Sequence, residues 1–297
     1  MKIIGINETT HDAAMAVIED GKILFAGHAE RYSKQKNDWF NNDHIMMDAL
    51  KQGSPDAVAY YEKRWLKKLR ILIHGGFGGG KPHYKRTLLG KLPSKSYTHH
   101  YSHACAGYYT SNMTDAVIVV LDAIGEFETS TIWTGEGNKI KQVYSQKYPV
   151  SFGLFYSAFT KLVGLKPNEE EYIMMGMAAY GDPKKYFDVV NSYFPKIDEQ
   201  KYNFHTGITD WPVEAVGQDR FDIAAAVQAV FEARLIDFMG FARTLTRKDN
   251  LVFMGGVALN SKANTMLWDM FKDVWIMPNP GDAGSALGAA AAMYGKH

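Results

Sequence analysis

Residues 2–28 read KIIGINETTHDAAMAVIEDGKILFAGH, and they frame how the rest of the chain is read. Apolar residues come in three short blocks, KIIGINE, AAMAVIED and KILFAGHAER. Glu19-Asp20-Gly21-Lys22 separates the second block from the third. An Asp-Gly pair between apolar runs is a strong hairpin signal, because a two-residue hairpin turn needs positive φ at its centre. The stretch therefore predicts three antiparallel strands. A helix near Asp43–Gly53, a strand at DAVAYY (56–61), a basic segment and a helix bearing THHYSHACAG (98–107) are expected to follow.

At residue 115 the pattern starts again. DAVIVVLDAIGE, TSTIWTGEGN and KIKQVYSQ read as strands, followed by helices near Phe152–Val163 and Glu170–Tyr180 and a long one near Phe221–Thr246. A strand NLVFMGGVAL, a helix Asn260–Phe271, a strand DVWIMPNP and a glycine/alanine-rich helix Asp282–Tyr294 complete the chain. Two βββαβα halves, 1–114 and 115–297, predict a duplicated α/β architecture with a cleft between them. In mixed α/β sheets ligands bind beyond the C-terminal ends of strands. Four polar motifs are expected there: Asn7 to Asp12, Asp122 to Glu128, Gly255 to Asn260 and Asn279 to Gly284.

The composition is that of a globular chain, with 46% apolar residues in 297. A single cysteine, Cys105, excludes an internal disulfide framework and a thiolate zinc cluster and fits a reducing compartment. No apolar run approaches the roughly 20 residues of a membrane span, and nothing at the N-terminus reads as a signal peptide. A cytoplasmic protein without a membrane partner is expected, in the host cell if its source is a virus. The net charge is only +1, yet between Lys63 and Ser96 there are ten Lys or Arg and no acid, interleaved with Trp65, Phe77 and Tyr84 and broken by GGFGGGKP (75–82). Such a segment reads either as a basic, partly mobile surface for phosphates or as a solvated loop.

In THHYSHACAG, His99 and His103 are four apart and so share one helix face, with Cβ atoms roughly 5–6 Å apart. Both imidazoles can then meet one divalent ion, or both can be packing residues; His100 points elsewhere, as a neighbour or a phosphate contact. Asp282, where a proline-glycine turn hands over to a helix, is either an N-cap worth about 0.5–2 kcal/mol or a third ligand. Two histidines and a carboxylate make a facial set with open positions, suited to Fe(II) or another divalent ion, Mg included. In MGGVALNSK (254–262) paired glycines admit a ligand and a helix N-terminus offers amides to an anion; a tight strand-to-helix turn explains the same residues. Asp122, Glu126 and Glu128 can serve acid–base chemistry or be solvated turn residues. His11 and Asp12 lie in a turn near the cleft. Among the acids and methionines of NEEEYIMMGMAAYG (168–181), the acids read as helix caps and the methionines as core.

Together these segments resemble the O-carbamoyltransferase family of nodulation-factor, cephamycin and tobramycin carbamoyltransferases. The resemblance rests on GINETTHDAAMAVIEDGKILFAGHAERYSKQK, THHYSHACAGYY, LDAIGEFETSTIWTGEGN, EYIMMGMAAYG, GGVALN and NPGDAGSALGAA, in the family's order. It implies a fold like that of the tRNA threonylcarbamoyl-adenosine synthase domain, a duplicated actin/Hsp70-like, ribonuclease H-like, ATP-binding fold. The resemblance also implies that His99, His103 and Asp282 hold the metal and that Gly255, Gly256 and Asn260, with Gly281, serve the nucleotide. His11 and Asp12 would lie near the transferred group, and Asp122 and Glu126 near the reacting centre. The implied activity passes a carbamoyl group from carbamoyl phosphate, activated with ATP as carbamoyl-adenylate, to an alcohol.

The resemblance implies a second domain, commonly carried by family members, that makes the carbamoyl-adenylate, and the 297 residues are expected to hold no segment that builds it. Three arrangements follow: a separate carbamoyl-adenylate-forming protein, one site for both steps, or another donor. The acceptor is either a hydroxymethylated base in DNA, as in viral DNA hypermodification and as the basic segment suggests, or a sugar or other small alcohol. A non-catalytic actin-like ATP-binding subunit and a sugar or acetate kinase are the competing classes. A homodimer is an open arrangement.

Overall fold

The computed structural model describes residues 1–75, 81–211 and 213–295. Its strands are β1 (Lys2–Asn7), β2 (Ala14–Glu19), β3 (Lys22–His28), β4 (Ala57–Tyr60), β5 (Ser94–Ser96), β6 (Asp115–Leu121), β7 (Glu128–Glu136), β8 (Lys139–Lys147), β9 (Asn250–Met254) and β10 (Asp273–Trp275). They form two sheets, ordered β3-β2-β1-β4-β5 and β10-β9-β6-β7-β8. Both sheets have the same plan. The first three strands of each run antiparallel, and the fourth and fifth add in parallel beside the first. The expected Asp-Gly hairpin is present, with Asp20 at φ 47° and Gly21 at φ 85°. Central strands carry continuous apolar runs because both their faces are covered: Ile3, Ile4 and Ile6 of β1 and Val117 to Leu121 of β6 are fully buried. At the edge, β8 alternates, as a half-exposed strand should.

Two helices lie between the sheets, and each packs across to the other sheet. Helix His99–Thr110 follows β5 yet packs on β6, β7 and β9, while helix Ser285–Tyr294 follows β10 yet packs on β1, β2 and β4. The two also pack on each other. Small residues permit this. A Cβ on Gly288 would stand 1.8 Å from the Ser102 carbonyl oxygen, and one on Gly5 would stand 1.8 Å from that of Ala286. Helices Phe152–Leu162, Phe187–Tyr193 and Val213–Thr246 enclose an aromatic core of Phe152, Phe155, Phe159, Phe194, Phe231 and Phe238 beside the second sheet.

Several elements depart from the sequence reading. Helix Val213–Thr246 begins well before Phe221. The helix expected over Asn260–Phe271 is two short pieces, Ser261–Asn264 and Leu267–Met270. The strand expected through Pro280 ends at Trp275, and Pro278 and Pro280 have no amide to donate to a ladder. Where a partly mobile basic surface was one reading, the described residues form helix Arg64–His74, two 3₁₀ turns (His83–Arg86 and Leu88–Lys91) and β5. Lys67 is buried there, 2.8 Å from Glu62, and Tyr84 and Leu89 are core residues. Gly76, Phe77 and Gly78 to Gly80 of the glycine run lie outside the described residues.

Glu8, just past the C-terminal end of β1, is buried with its Oε1 accepting the Tyr84 amide at 3.0 Å and its Oε2 without a hydrogen-bond partner among the described residues. Burial, only partly offset by the amides of Tyr84 and His83, lifts its carboxyl from 4.5 to about 7. The folded protein therefore holds this proton more tightly than the unfolded chain, and stability falls as pH rises from about 4.5 through about 7. Glu8→Gln keeps the acceptor and removes the titration. It should be more stable than wild type at pH 8 by on the order of 1–3 kcal/mol and no more stable at pH 4, as read by urea unfolding.

The glycine contacts give a second test by thermal unfolding. Gly288→Ala should destabilise by about 3 kcal/mol, since the obstruction is backbone. Gly240→Ala, in helix Val213–Thr246 with open space around it, should stabilise by up to about 1 kcal/mol.

Candidate active site

The site forms where the C-terminal ends of the central strands of both sheets face one another. The β1–β2 turn carries His11 and Asp12, Asp122 follows the last residue of β6, Gly256 and Asn260 follow β9, and the turn after β10 carries Gly281 and Asp282. All line a cavity of about 510 Å³, together with His28, Glu30, Lys36, Tyr156, Glu171 and Tyr172 among others. Helix His99–Thr110 brings His99 and His103 to the same point from below.

Four buried side chains converge there: His99, His103, Asp122 and Asp282. The His99 Nε2 is 3.1 Å from the His103 Nε2. Asp122 Oδ2 lies 2.9 Å from His99 Nε2 and 3.5 Å from His103 Nε2, while Asp282 Oδ1 is 3.3 Å from both. Metal–nitrogen and metal–oxygen bonds of roughly 2.0–2.2 Å at right or tetrahedral angles put donor atoms about 3.0–3.5 Å apart. The four atoms thus have the spacing of one ion's ligands, with the mixed nitrogen/oxygen chemistry that suits a divalent first-row metal. Burial opposes charge on all four, but their mutual attraction overrides it: His99 and His103 are held above the ordinary imidazole range and Asp122 and Asp282 below the ordinary carboxylate range.

His11 stands at the edge of the cluster, half exposed, with Nδ1 2.8 Å from Asp12 Oδ2 and Nε2 3.7 Å from Asp282 Oδ2. Burial works against its charge, but Asp282 and Asp12 prevail and raise it to about 9. Asp12 in turn faces His28 Nε2 at 3.3 Å, and His28 Nδ1 faces Glu30 at 3.5 Å. Asn7 ties the two sides together, donating to the backbone carbonyls of both Asp12 and Asp282.

Other residues singled out in the sequence have the following surroundings. Asp282 makes no cap bond to the helix it precedes; its carboxylate faces the histidines. Glu126 does not line the cavity: its carboxylate accepts the amides of Lys63 and His99, clamping the start of the histidine helix. His100 is buried against Thr131 at 2.9 Å, and burial keeps it neutral. Gly255, at φ 93° and hard against the Leu121 carbonyl, serves the tight strand-to-helix turn. Asn260 lines the cavity, yet its amide is paired with Gln228 and its oxygen caps Ala263.

The sequence reading placed Asp122 near the reacting centre and did not single out His28; the structure sets the Asp122 carboxylate among His99, His103 and Asp282 and puts His28 on the cavity wall. Both were accessible in principle. Asp122 follows the apolar run 116–121, the position at which a side chain enters the cleft, and the hairpin register pairs His28 with Ala14 beside the His11 turn.

Residues 57–291 match the family model described as "Carbamoyltransferase N-terminus". The chain belongs to this carbamoyltransferase family. It is 31% identical to an uncharacterized protein, sll1178, of Synechocystis, over 98% of this chain and 57% of that one. It is also 26% identical to the nodulation protein NolNO of Sinorhizobium fredii, over 97% of this chain and 47% of that one. The chain therefore spans about half the length of these curated relatives. Two solved structures share its fold at low identity. One is full-length HypF in a phosphate- and nucleotide-bound form, with a TM-score of 0.54 and 13% identity over 98% of this chain and 55% of that one. The other is component A of (R)-2-hydroxyglutaryl-CoA dehydratase from Acidaminococcus fermentans, with a TM-score of 0.55 and 12% identity over 98% and 97%. The fold is the duplicated actin-like one.

The donor spacing predicts a metal response. Adding Mn²⁺ to chelator-treated protein should raise its thermal midpoint. Asp122→Asn and Asp282→Asn should each weaken Mn²⁺ binding by more than the roughly 10–100-fold that changes around a ligand typically cost. Glu126→Gln should not. A midpoint unmoved by any divalent ion, with wild type and variants alike, would remove the metal from the site.

Proposed function

We propose that this chain carries the transfer centre of an O-carbamoyltransferase, which moves a carbamoyl group from carbamoyl-adenylate, formed from carbamoyl phosphate and ATP, to a hydroxyl acceptor. The observation that carries the reading is the four-donor cluster at the floor of a cleft cavity, with His11 at its edge. A kinase on this fold or a non-catalytic nucleotide clamp has no evident need of two buried histidines and two aspartates with ligand spacing.

In this reading His99, His103, Asp122 and Asp282 hold a divalent ion, Fe(II) being one that a histidine/carboxylate set suits, and the ion when bound supplies Lewis-acid stabilisation of charge on the leaving phosphate. The acceptor oxygen attacks the carbamoyl carbon, the bond from that carbon to the phosphate oxygen breaks, and AMP leaves. His11 takes the hydroxyl proton. With Asp282 and Asp12 as neighbours His11 is protonated near neutral pH; once Asp282 serves a cation, His11 loses part of that support and can accept a proton. Asp12 holds its Nδ1 and fixes the ring's direction. Gly256 and Gly281 leave the cavity wall open for the nucleotide, and Tyr156 adds an apolar surface. The halves 1–114 and 115–297 contribute opposite walls.

For the acceptor, a sugar or other small alcohol is favoured. Lys36 bonds the Glu169 carbonyl at 2.7 Å and Asn37 the Asn168 carbonyl at 3.3 Å, so loops from the two halves join across one side of the cavity. A duplex does not fit such a bridge readily. A hydroxymethylated base in DNA is the second acceptor reading, supported by the run of basic residues.

The test supplies carbamoyl-adenylate, or carbamoyl phosphate with ATP and a second carbamoyl-adenylate-forming protein, to a panel of polyols and a hydroxymethylated duplex. Carbamoylated product with release of AMP is expected, falling by on the order of 10²–10⁴-fold in His11→Ala. ADP and a phosphorylated product would assign a kinase instead. No product with any acceptor, from metal-loaded protein, would leave a binding subunit.

A further inference from the structure

Helix Arg64–His74 is built inside out. Its one buried side chain is Lys67, 4% exposed and paired with Glu62. At i, i+4, i+7 and i+8 it turns Trp65, Leu69, Leu72 and Ile73 to solvent, with 65%, 41%, 83% and 58% of their surfaces exposed. That spacing is one helix face. A contiguous apolar helix face left in water marks a surface that meets something else.

The charge of the surrounding sequence narrows what that is. Residues 63–96 contain ten Lys or Arg and no acid. Lys68, Lys81, Lys85, Arg86, Lys91 and Lys95 are exposed, and so is Leu88. We propose that this face binds peripherally to the surface of an anionic lipid bilayer. Trp, Leu and Ile on one side of a charged helix of low overall hydrophobicity is the make-up of helices that lie in the headgroup plane, and the exposed Lys68 on the same helix, with the exposed lysines that follow in the sequence, supplies charge for anionic headgroups. The exposed cations are five Lys to one Arg, whereas protein interfaces favour Arg and deplete Lys. A nucleic acid would use the cations but not four apolar side chains. The contact departs from the sequence expectation of no membrane partner, and it is peripheral: among the described residues no helix is long and apolar enough to cross a membrane. It also lies close to the active site in the chain of contacts, because the amide of Lys63, one residue before the helix, shares the Glu126 carboxylate with the amide of His99.

The experiment is co-sedimentation of the whole chain with vesicles of phosphatidylcholine alone or with about a quarter phosphatidylglycerol, across a range of salt. Binding to the anionic vesicles, weakened by salt, is expected, with a blue shift of tryptophan emission that Trp65→Phe removes. Leu69→Ser/Leu72→Ser should abolish binding with an unchanged thermal midpoint, and Lys85→Ser and Lys91→Ser should each weaken it about fivefold. Three results would overturn the proposal. One is absent or lipid-independent binding. Another is concentration-dependent self-association that Leu72→Ser abolishes, which gives the face to a second copy of the chain. The third is preference for a hydroxymethylated duplex over vesicles, unaffected by the leucine changes, which gives the lysines to nucleic acid.

Discussion

The close approach of helix His99–Thr110 to helix Ser285–Tyr294 is the contact on which the site depends. Ser102, between the two cluster histidines, meets Gly288, six residues after Asp282, with room for a hydrogen and nothing more. Each helix belongs by sequence to one half of the molecule and packs on the sheet of the other. The distance between the histidines and Asp282 is therefore set by small-residue packing at the centre of the protein rather than by either half alone. Any movement that opened the halves would have to break this contact or carry both helices with it.

Around that contact, charge is buried in matched sets. Two imidazoles face two carboxylates, with His11 and Asp12 as an outer pair and Glu126 receiving two backbone amides. Any one of these groups alone would be expensive to keep charged away from water. Matched, they hold each other ionised, and they leave the cluster poised to exchange its internal attraction for attraction to a single cation. The fold is thereby rigid where ligand geometry matters and polar where charge must change.

The sheets were legible because their residues are chosen by burial. Apolar runs at residues 3–6 and 116–121 and the Asp20-Gly21 turn dictate strands whatever surrounds them. Less legible were elements decided by tertiary contacts: β5 is three exposed polar residues held by backbone pairing, and Arg64–His74 carries a periodicity that points the wrong way for a core. At the site, His99, His103 and Asp282 could be singled out because helical spacing and a strand-to-helix turn each constrain direction. Asp122 could be placed in the cleft but not in the cluster, since residue spacing cannot say which oxygen faces which nitrogen across 23 residues. Glu126 was ambiguous for a related reason. An acid in a turn reads the same whether it faces a cavity or caps a helix from outside.

The β1–β2 turn shows where local preference yields to the site. Thr9 at φ 83° and Asp12 at φ 55° are non-glycine residues in left-handed conformations on either side of His11, and such geometry costs on the order of 1–3 kcal/mol per residue. It persists because neighbours over-determine it. Thr9 donates its amide to Trp39, Ala13 donates to Asp38, and Asn7 reaches both Asp12 and Asp282. A glycine at either position would relieve the strain. It would also release the direction of the His11 ring, which Asp12 fixes from one side and the cluster from the other. The sequence keeps two strained residues here, and what they secure is the direction of His11, a titratable side chain that stands between the buried cluster and the open cavity.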